Sequence, residues 1–176
     1  MPHLPFVPFV SWLAACIALA AGGLAAAPAS ATCGLDDFAA HAIARLNRLR
    51  SAGANCRTAG RFAPARALAW NDTLARAAAA HSRDMASHHH FAHTSSDGRA
   101  LRQRIDAAGY AWRRIGENIA AGAIGVDAVI DGWMASDVHC ANIMNPDFSE
   151  VGLACVPGRT GDDYRTYWTM DLARPR

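Results

Sequence analysis

The chain has 176 residues, enough for one domain of ordinary size once a leader is set aside. Its 17 basic residues are all arginine, mixed among 15 acidic ones for a net charge of +2. Neither a basic block nor an aromatic-basic platform is present, which excludes nucleic acid as an expected partner. The Ala-rich, Lys-free usage reads as that of a GC-rich bacterial genome.

Residues 6–31 are almost all apolar or small and end in Ala29-Ser30-Ala31, a pattern that signal peptidase accepts. Residues 1–31 are therefore read as a cleaved signal peptide and Thr32 as the mature N-terminus. No Lys or Arg precedes Arg45, which is unusual for such a leader. Two other readings compete. Leu13-Ala14-Ala15-Cys16 resembles a lipobox and would make Cys16 an acylated start, while a retained anchor needs about 20 apolar residues. Secretion or periplasmic export is the favoured outcome, with residues 32–176 as a single domain.

A first helix is predicted over 36–51, with Phe38, Ile43, Leu46 and Leu49 near helical spacing and Gly53 as its stop. A loop with Gly60 and Pro64 follows. A second helix spans 72–88 behind a cap at Asn71 or Asp72; Leu74, Ala78, His81 and Met85 share one face. A third runs over 99–108. Gly116 to Gly122 reads as a tight turn. A fourth helix covers 126–136, with Val129, Ile130 and Trp133 inward. Alternation over 150–156 and 164–172 predicts two antiparallel strands. Trp70, Trp112, Trp133 and Trp168 are expected in the core, as is His81. Helices around one sheet make an α+β layered domain.

Four cysteines follow the leader: Cys33, Cys56, Cys140 and Cys155. An even count in an exported chain predicts two disulfides. Of three pairings, Cys33–Cys56 and Cys140–Cys155 are chosen because each closes a local loop. A loop of that size is worth about 3 kcal/mol in the chain-entropy model.

Several catalytic signatures are missing. There is no H-E-x-x-H, no G-x-S-x-G and no C-x-x-C. His88, His89 and His90 are read as a solvated helix end. Ser136 and His139 stand three apart, and with Glu117 as orienter they make a Ser-His-acid set on paper.

Three segments are most informative when taken together. They are Phe91-Ala92-His93-Thr94-Ser95-Ser96-Asp97-Gly98, Gly116-Glu117-Asn118-Ile119-Ala120, and His139-Cys140-Ala141-Asn142-Ile143-Met144-Asn145-Pro146 followed by Glu150-Val151-Gly152. Their order and spacing resemble the CAP superfamily of SCP-like secreted proteins, over residues 40 to 173. The resemblance implies a three-layer α-β-α sandwich around a small central antiparallel sheet. It also implies a cavity in which His93 and His139 are the paired histidines and Glu117 one of two carboxylates. His93, His139 and Glu117 would then be ligands for a divalent ion such as zinc, although no cofactor is required. Eukaryotic members carry a glutamate where this chain has Ser136, so a four-ligand site is incomplete; Glu150 is a weaker substitute.

The favoured function is a non-catalytic binding module for a small ligand, lipid or metal ion, or for a cell-envelope component. One alternative is a metal-dependent or serine-type hydrolase of peptides or envelope polymers. Another is a purely structural or interaction domain. The chain is expected to be a monomer.

Overall fold

The computed structural model describes Met1 and residues 31–176. Residues 2–30, which include Cys16 and most of the expected leader, lie outside the described residues. Helix α1 (Phe38–Ala52) is followed by a short hairpin, β1 (Ala54–Asn55) and β2 (Arg61–Phe62), with a 3-10 turn at Arg57–Ala59 between its strands. Then come β3 (Ala69–Trp70), α2 (Asp72–Ser87), α3 (Leu101–Ala107), β4 (Trp112–Ala121), α4 (Val126–Met134), α5 (Asp137–Met144), β5 (Glu150–Pro157) and β6 (Thr166–Pro175).

The main sheet has the order β3-β5-β6-β4. Its three long strands are antiparallel, and β3 adds a two-residue parallel edge. The expected antiparallel sheet is thus present with one parallel addition. Two layers of helix cover it. On one face α1, α4 and α5 bury Leu46, Ile130, Trp133 and Ile143 against Leu153, Trp168 and Met170. On the other, α2 and α3 bury Leu74, Ile105 and Met85 against Ala173, Ile119 and Tyr167.

Local chemistry explains the long helices. Asn71 caps α2, its Oδ1 accepting from the N–H groups of Thr73 at 2.9 Å and Leu74 at 3.1 Å. Gly53 ends α1 in a conformation with φ of 72° that side chains rarely adopt. Helix α2 lies close against the sheet because Gly152 has no side chain. A Cβ there would sit 2.0 Å from the Ala75 nitrogen.

Four expectations need correction. The cysteines pair as Cys33–Cys155 and Cys56–Cys140, with Cα separations of 5.2 and 5.5 Å, not as two local loops. Thr32 forms a bridge to Cys155, so the start of the described domain lies along β5 and delivers Cys33 there. Cys56 sits beside the 3-10 turn, which packs on α5 through Asp137; its carboxylate accepts from the Thr58 N–H at 3.1 Å. Sequence proximity was a poor guide because both partners of each bridge are brought together by the layers.

Residues 116–122 are not a turn. Residues 116–121 belong to β4, whose residue-by-residue ladder with β6 runs to Ala121 opposite Tyr167, and only Gly122, with φ of 83°, turns away beyond it. The Gly-Glu-Asn trio disguised a strand whose polar side chains are buried. The predicted fourth helix ends at Met134, and a separate helix, α5, starts after Ser136. Finally, Trp133 and Trp168 are core, but Trp70 and Trp112 are half-buried. Their indole N–H groups bond to Asp72 at 3.0 Å and Asp106 at 2.8 Å.

Candidate functional site

The three segments singled out in the sequence meet at the free edge of β4. Glu117 lies in the middle of that strand, with its side chain 2 % exposed. His93 comes from the loop between α2 and α3, and its ring Nδ1 lies 2.8 Å from Glu117 Oε1. With the carboxylate ionised, Nδ1 carries the proton and donates, leaving Nε2 free to accept. The His93 side chain is 57 % exposed, so this is an open lip rather than a sealed chamber.

The second Glu117 oxygen accepts from Arg104 Nη2 on α3. Arg104 is itself buried, and Nη1 donates to the backbone carbonyls of His93 at 2.8 Å and Arg99 at 3.1 Å. One guanidinium therefore neutralises Glu117 and holds the loop that carries His93. His81 is fully buried behind it and bonds through Nε2 to the Ala92 carbonyl at 3.0 Å. Burial lowers its pKa, partly opposed by the nearby Glu117 charge, so it is neutral, as expected of a core histidine.

Burial alone would raise the Glu117 pKa. The His93 hydrogen bond and the Arg104 charge outweigh it and hold the carboxyl below its ordinary value. Opposite Glu117 on the β4–β6 ladder stands Asp171. It is buried, and both burial and the Glu117 charge push its pKa far above the carboxylate range. The pair therefore holds one negative charge, with Asp171 protonated. Asp171 Oδ1 has no hydrogen-bond partner among the described residues.

His139 approaches from the opposite layer on α5. Burial lowers its pKa, and the charge that His93 carries when protonated lowers it further. Helix α5 is pinned to the strand by amides. Asn118 donates to the His139 carbonyl at 3.1 Å, and Asn142 donates to Asn118 Oδ1 at 2.9 Å and to the Glu117 carbonyl at 3.3 Å. Trp133 caps the Ile119 carbonyl at 3.0 Å. These side chains cover the edge of β4, which would otherwise offer open backbone groups. Asn118 and Asn142 thus act between elements.

Other expected residues stand apart. Ser136 is the half-buried N-cap position of α5, and no hydrogen bond joins it to His139 among the described residues. Glu150 accepts from Asn71 at 2.7 Å and Tyr110 at 2.8 Å, away from the histidines. His88 and His90 flank Asp84, and His89 pairs with Asp162. The predicted solvated helix end is therefore partly tied down.

Arg104 and Asp171 were not anticipated. An Asp between Met170 and Leu172 in an otherwise apolar strand was the available signal for a buried carboxyl. Arg104 gave less warning, because arginine on a short helix is ordinarily solvated.

The donor set fits a resident divalent ion poorly. Glu117 already spends its oxygens on Arg104 and His93, and the guanidinium places a positive charge in the site. No three His, Cys, Asp or Glu side chains among the described residues are arranged to hold a metal. The arrangement is instead a hydrogen-bonded network with two imidazoles at its surface.

No helix among the described residues is long and apolar enough to cross a membrane. The two disulfides suit an oxidising compartment. The chain is 30 % identical over 107 residues to the uncharacterized membrane protein YlbC of Bacillus subtilis, covering 61 % of this chain and 29 % of that protein. It is 34 % identical over 86 residues to the uncharacterized protein YkwD of the same organism, covering 49 % and 34 %. The matched region thus spans about a third of those relatives. Among solved structures, an extracellular SCP-domain protein from Bacillus anthracis superposes with a TM-score of 0.60 at 26 % identity, over 78 % of this chain and 41 % of that one. Residues 43–172 match the profile of the cysteine-rich secretory protein family. With the fold, the nested segments and that match in agreement, the chain belongs to the CAP family.

Proposed function

We propose that this is an exported binding module without catalytic turnover, which holds a small polar ligand on the His93–His139 lip. The observation that carries this reading is the Glu117–Arg104 pair. It fixes His93 in one tautomer and orientation, and it leaves no ionised carboxylate free to act as base or nucleophile. A neutral His139 beside it offers a second ring that accepts or donates, depending on tautomer. A fixed His93 with His139 on the same edge suits a ligand with hydroxyl, amide or carboxyl groups, such as an envelope fragment. The half-exposed His93 makes the site accessible without a gate.

The test uses mature protein with its disulfides intact. A muramyl dipeptide probe is titrated while the His93 and His139 ring resonances are followed by NMR. The expected result is a saturable shift of both rings, lost in His139→Ala, with the probe recovered uncleaved. A cleaved probe, or rings that do not move, overturns the reading. Zinc is tested in parallel by calorimetry. The expected binding is weak and insensitive to Glu117→Gln. A tight one-to-one site that depends on Glu117 would establish the metal reading instead.

A further inference from the structure

The outer edge of β5 is only partly paired. The Gly158 N–H donates to the Arg165 carbonyl at 2.8 Å, which makes the even-numbered residues of β5 the ones that bond to β6. The odd-numbered residues turn their N–H and C=O groups outward. At one end β3 meets them, with the Asn71 N–H donating to the Val151 carbonyl at 2.9 Å. At the other end the N-terminal arm does. There the Cys155 N–H donates to the Ala31 carbonyl at 2.7 Å, and the Cys33 N–H donates to the Cys155 carbonyl at 3.1 Å. Leu153 lies between the two, in a gap of about 13 Å along the strand. Neither its N–H nor its C=O has a backbone partner on that edge among the described residues.

A cavity of about 500 Å³ lies over this gap, within the range for small-molecule sites. Thr32 and Trp70, from the two flanking pieces, stand at its ends, and Leu153 and Ala154 line its floor. Phe38 of α1 and Ala79 of α2 wall it on either side. Phe38, Ala79, Leu153 and Ala154 are all buried, so the inner part is apolar and shielded from water. Asp72, Arg76 and Arg83 stand exposed at the rim and leave the floor uncharged. A shielded peptide group without a partner costs about 1–3 kcal/mol. A molecule that brings one donor and one acceptor to Leu153 removes that cost.

We infer that the gap at Leu153 binds a short extended peptide from another molecule, which adds to the outer edge of β5 as a strand. One residue of an antiparallel strand supplies both the N–H for the Leu153 carbonyl and the carbonyl for the Leu153 N–H. Two pieces of this chain already pair with the same edge through backbone groups, which identifies the chemistry that the edge accepts. The apolar cavity beside it selects an uncharged aliphatic side chain. The flanking pieces limit the occupant to a few residues. The site lies across the sheet from the His93 lip, beyond β6 and β5 from β4, and stands independently of the function proposed there.

The test is an NMR titration of the labelled mature protein, disulfides intact, with N-acetyl-Ala-Leu-Ala-amide. The Leu153 amide should shift and saturate, and its hydrogen exchange should slow. The same probe carrying an N-methyl group on its leucine keeps the apolar side chain but loses the donor. It should bind about three- to tenfold more weakly, the size expected for one lost hydrogen bond. Ala75→Leu, on the half-buried face of α2 that lines the cavity, should weaken the unmodified probe by at least as much. His139→Ala should leave binding unchanged, which separates this edge from the lip. No saturable shift at Leu153, or equal affinity for the two probes, overturns the site. Loss of binding in His139→Ala moves the probe to the lip and also overturns it. A Leu153 amide protected from exchange before any probe is added means that the edge is already satisfied. In a monomer that partner is the chain's own N-terminal segment, in a dimer it is a second copy, and either result overturns the inference.

Discussion

Two buried arginines hold this molecule together in different ways. Arg50, at the end of α1, is fully buried and donates only to backbone carbonyls: Arg66 at 2.8 Å, Ile143 at 2.6 Å, Asn145 at 2.9 Å and Phe148 at 3.1 Å. It staples α1 to the end of α5 and the turn into β5. Arg104, in the other layer, also binds carbonyls, but its remaining donor meets Glu117. Carbonyls do not titrate, whereas a carboxylate does. The first arginine is therefore part of the scaffold at any ordinary pH. The second belongs to a network of Glu117, Asp171, His81 and His93 whose protonation sets its state. One buried charge thus has partners that cannot titrate, and the other has partners that can.

Arg50→Met should break the contrast most severely. Four carbonyls would lose a donor they cannot replace, and we expect a loss of about 3–5 kcal/mol in urea unfolding. The loss should be nearly the same from pH 5 to pH 8. A strong pH dependence would mean that Arg50 senses a titrating group after all.

Glu117→Gln should cost about 3 kcal/mol, because it leaves Arg104 buried without its counter-charge. Arg104→Gln combined with Glu117→Gln should cost clearly less than the two single changes added together. Additive losses would mean that the pair is not energetically coupled.

Asp171→Asn should act in the opposite direction. Asp171 has a raised pKa in the fold, so its contribution is fully present below its unfolded value and is lost as pH rises through the folded value. Removing the carboxyl should therefore stabilise the protein at pH 7, by about 1 kcal/mol or more, with the gain vanishing below about pH 4. Glu117 has a depressed pKa and runs the other way. Its stabilisation is present above the unfolded value and fades as pH falls through the folded one. A loss of stability in Asp171→Asn at neutral pH would show that this carboxyl is ionised.

The smallest effect is expected at the lip. His93 is more than half exposed, so His93→Ala should change stability by less than about 1 kcal/mol. Its signature should appear in NMR titration of His139, whose pKa should rise towards the ordinary histidine value once the neighbouring charge is gone. An unmoved His139 would separate the two rings.

The helices were legible in the sequence wherever apolar spacing and a cap agreed, as in α1 and α2. The two long C-terminal strands were legible from their alternation. Strand β4 was not, because Glu117 and Asn118 are buried there by Arg104, His93 and Asn142, and no local pattern reveals partners so far away in the chain. The site shows the same division. His93, Glu117 and His139 were named because separate segments matched a family pattern, while Arg104 and Asp171 needed the folded sheet to bring them to Glu117. The disulfides were misread for a related reason: short spacing looks inexpensive in loop entropy, but the layers make distant cysteines neighbours.

The disulfides are nested, with Cys56–Cys140 lying inside the span closed by Cys33–Cys155. In a chain that emerges from an export channel N-terminus first, Cys33 and Cys56 appear long before either partner. An oxidant that joins thiols in order of arrival would trap Cys33–Cys56, a bridge that the native layers cannot accommodate. Maturation should therefore depend on an isomerase that reopens early bridges, or on oxidation slow enough to wait for the last quarter of the chain. A host that oxidises quickly but reshuffles poorly should accumulate this protein as a mispaired species, recognisable by its mobility on a non-reducing gel.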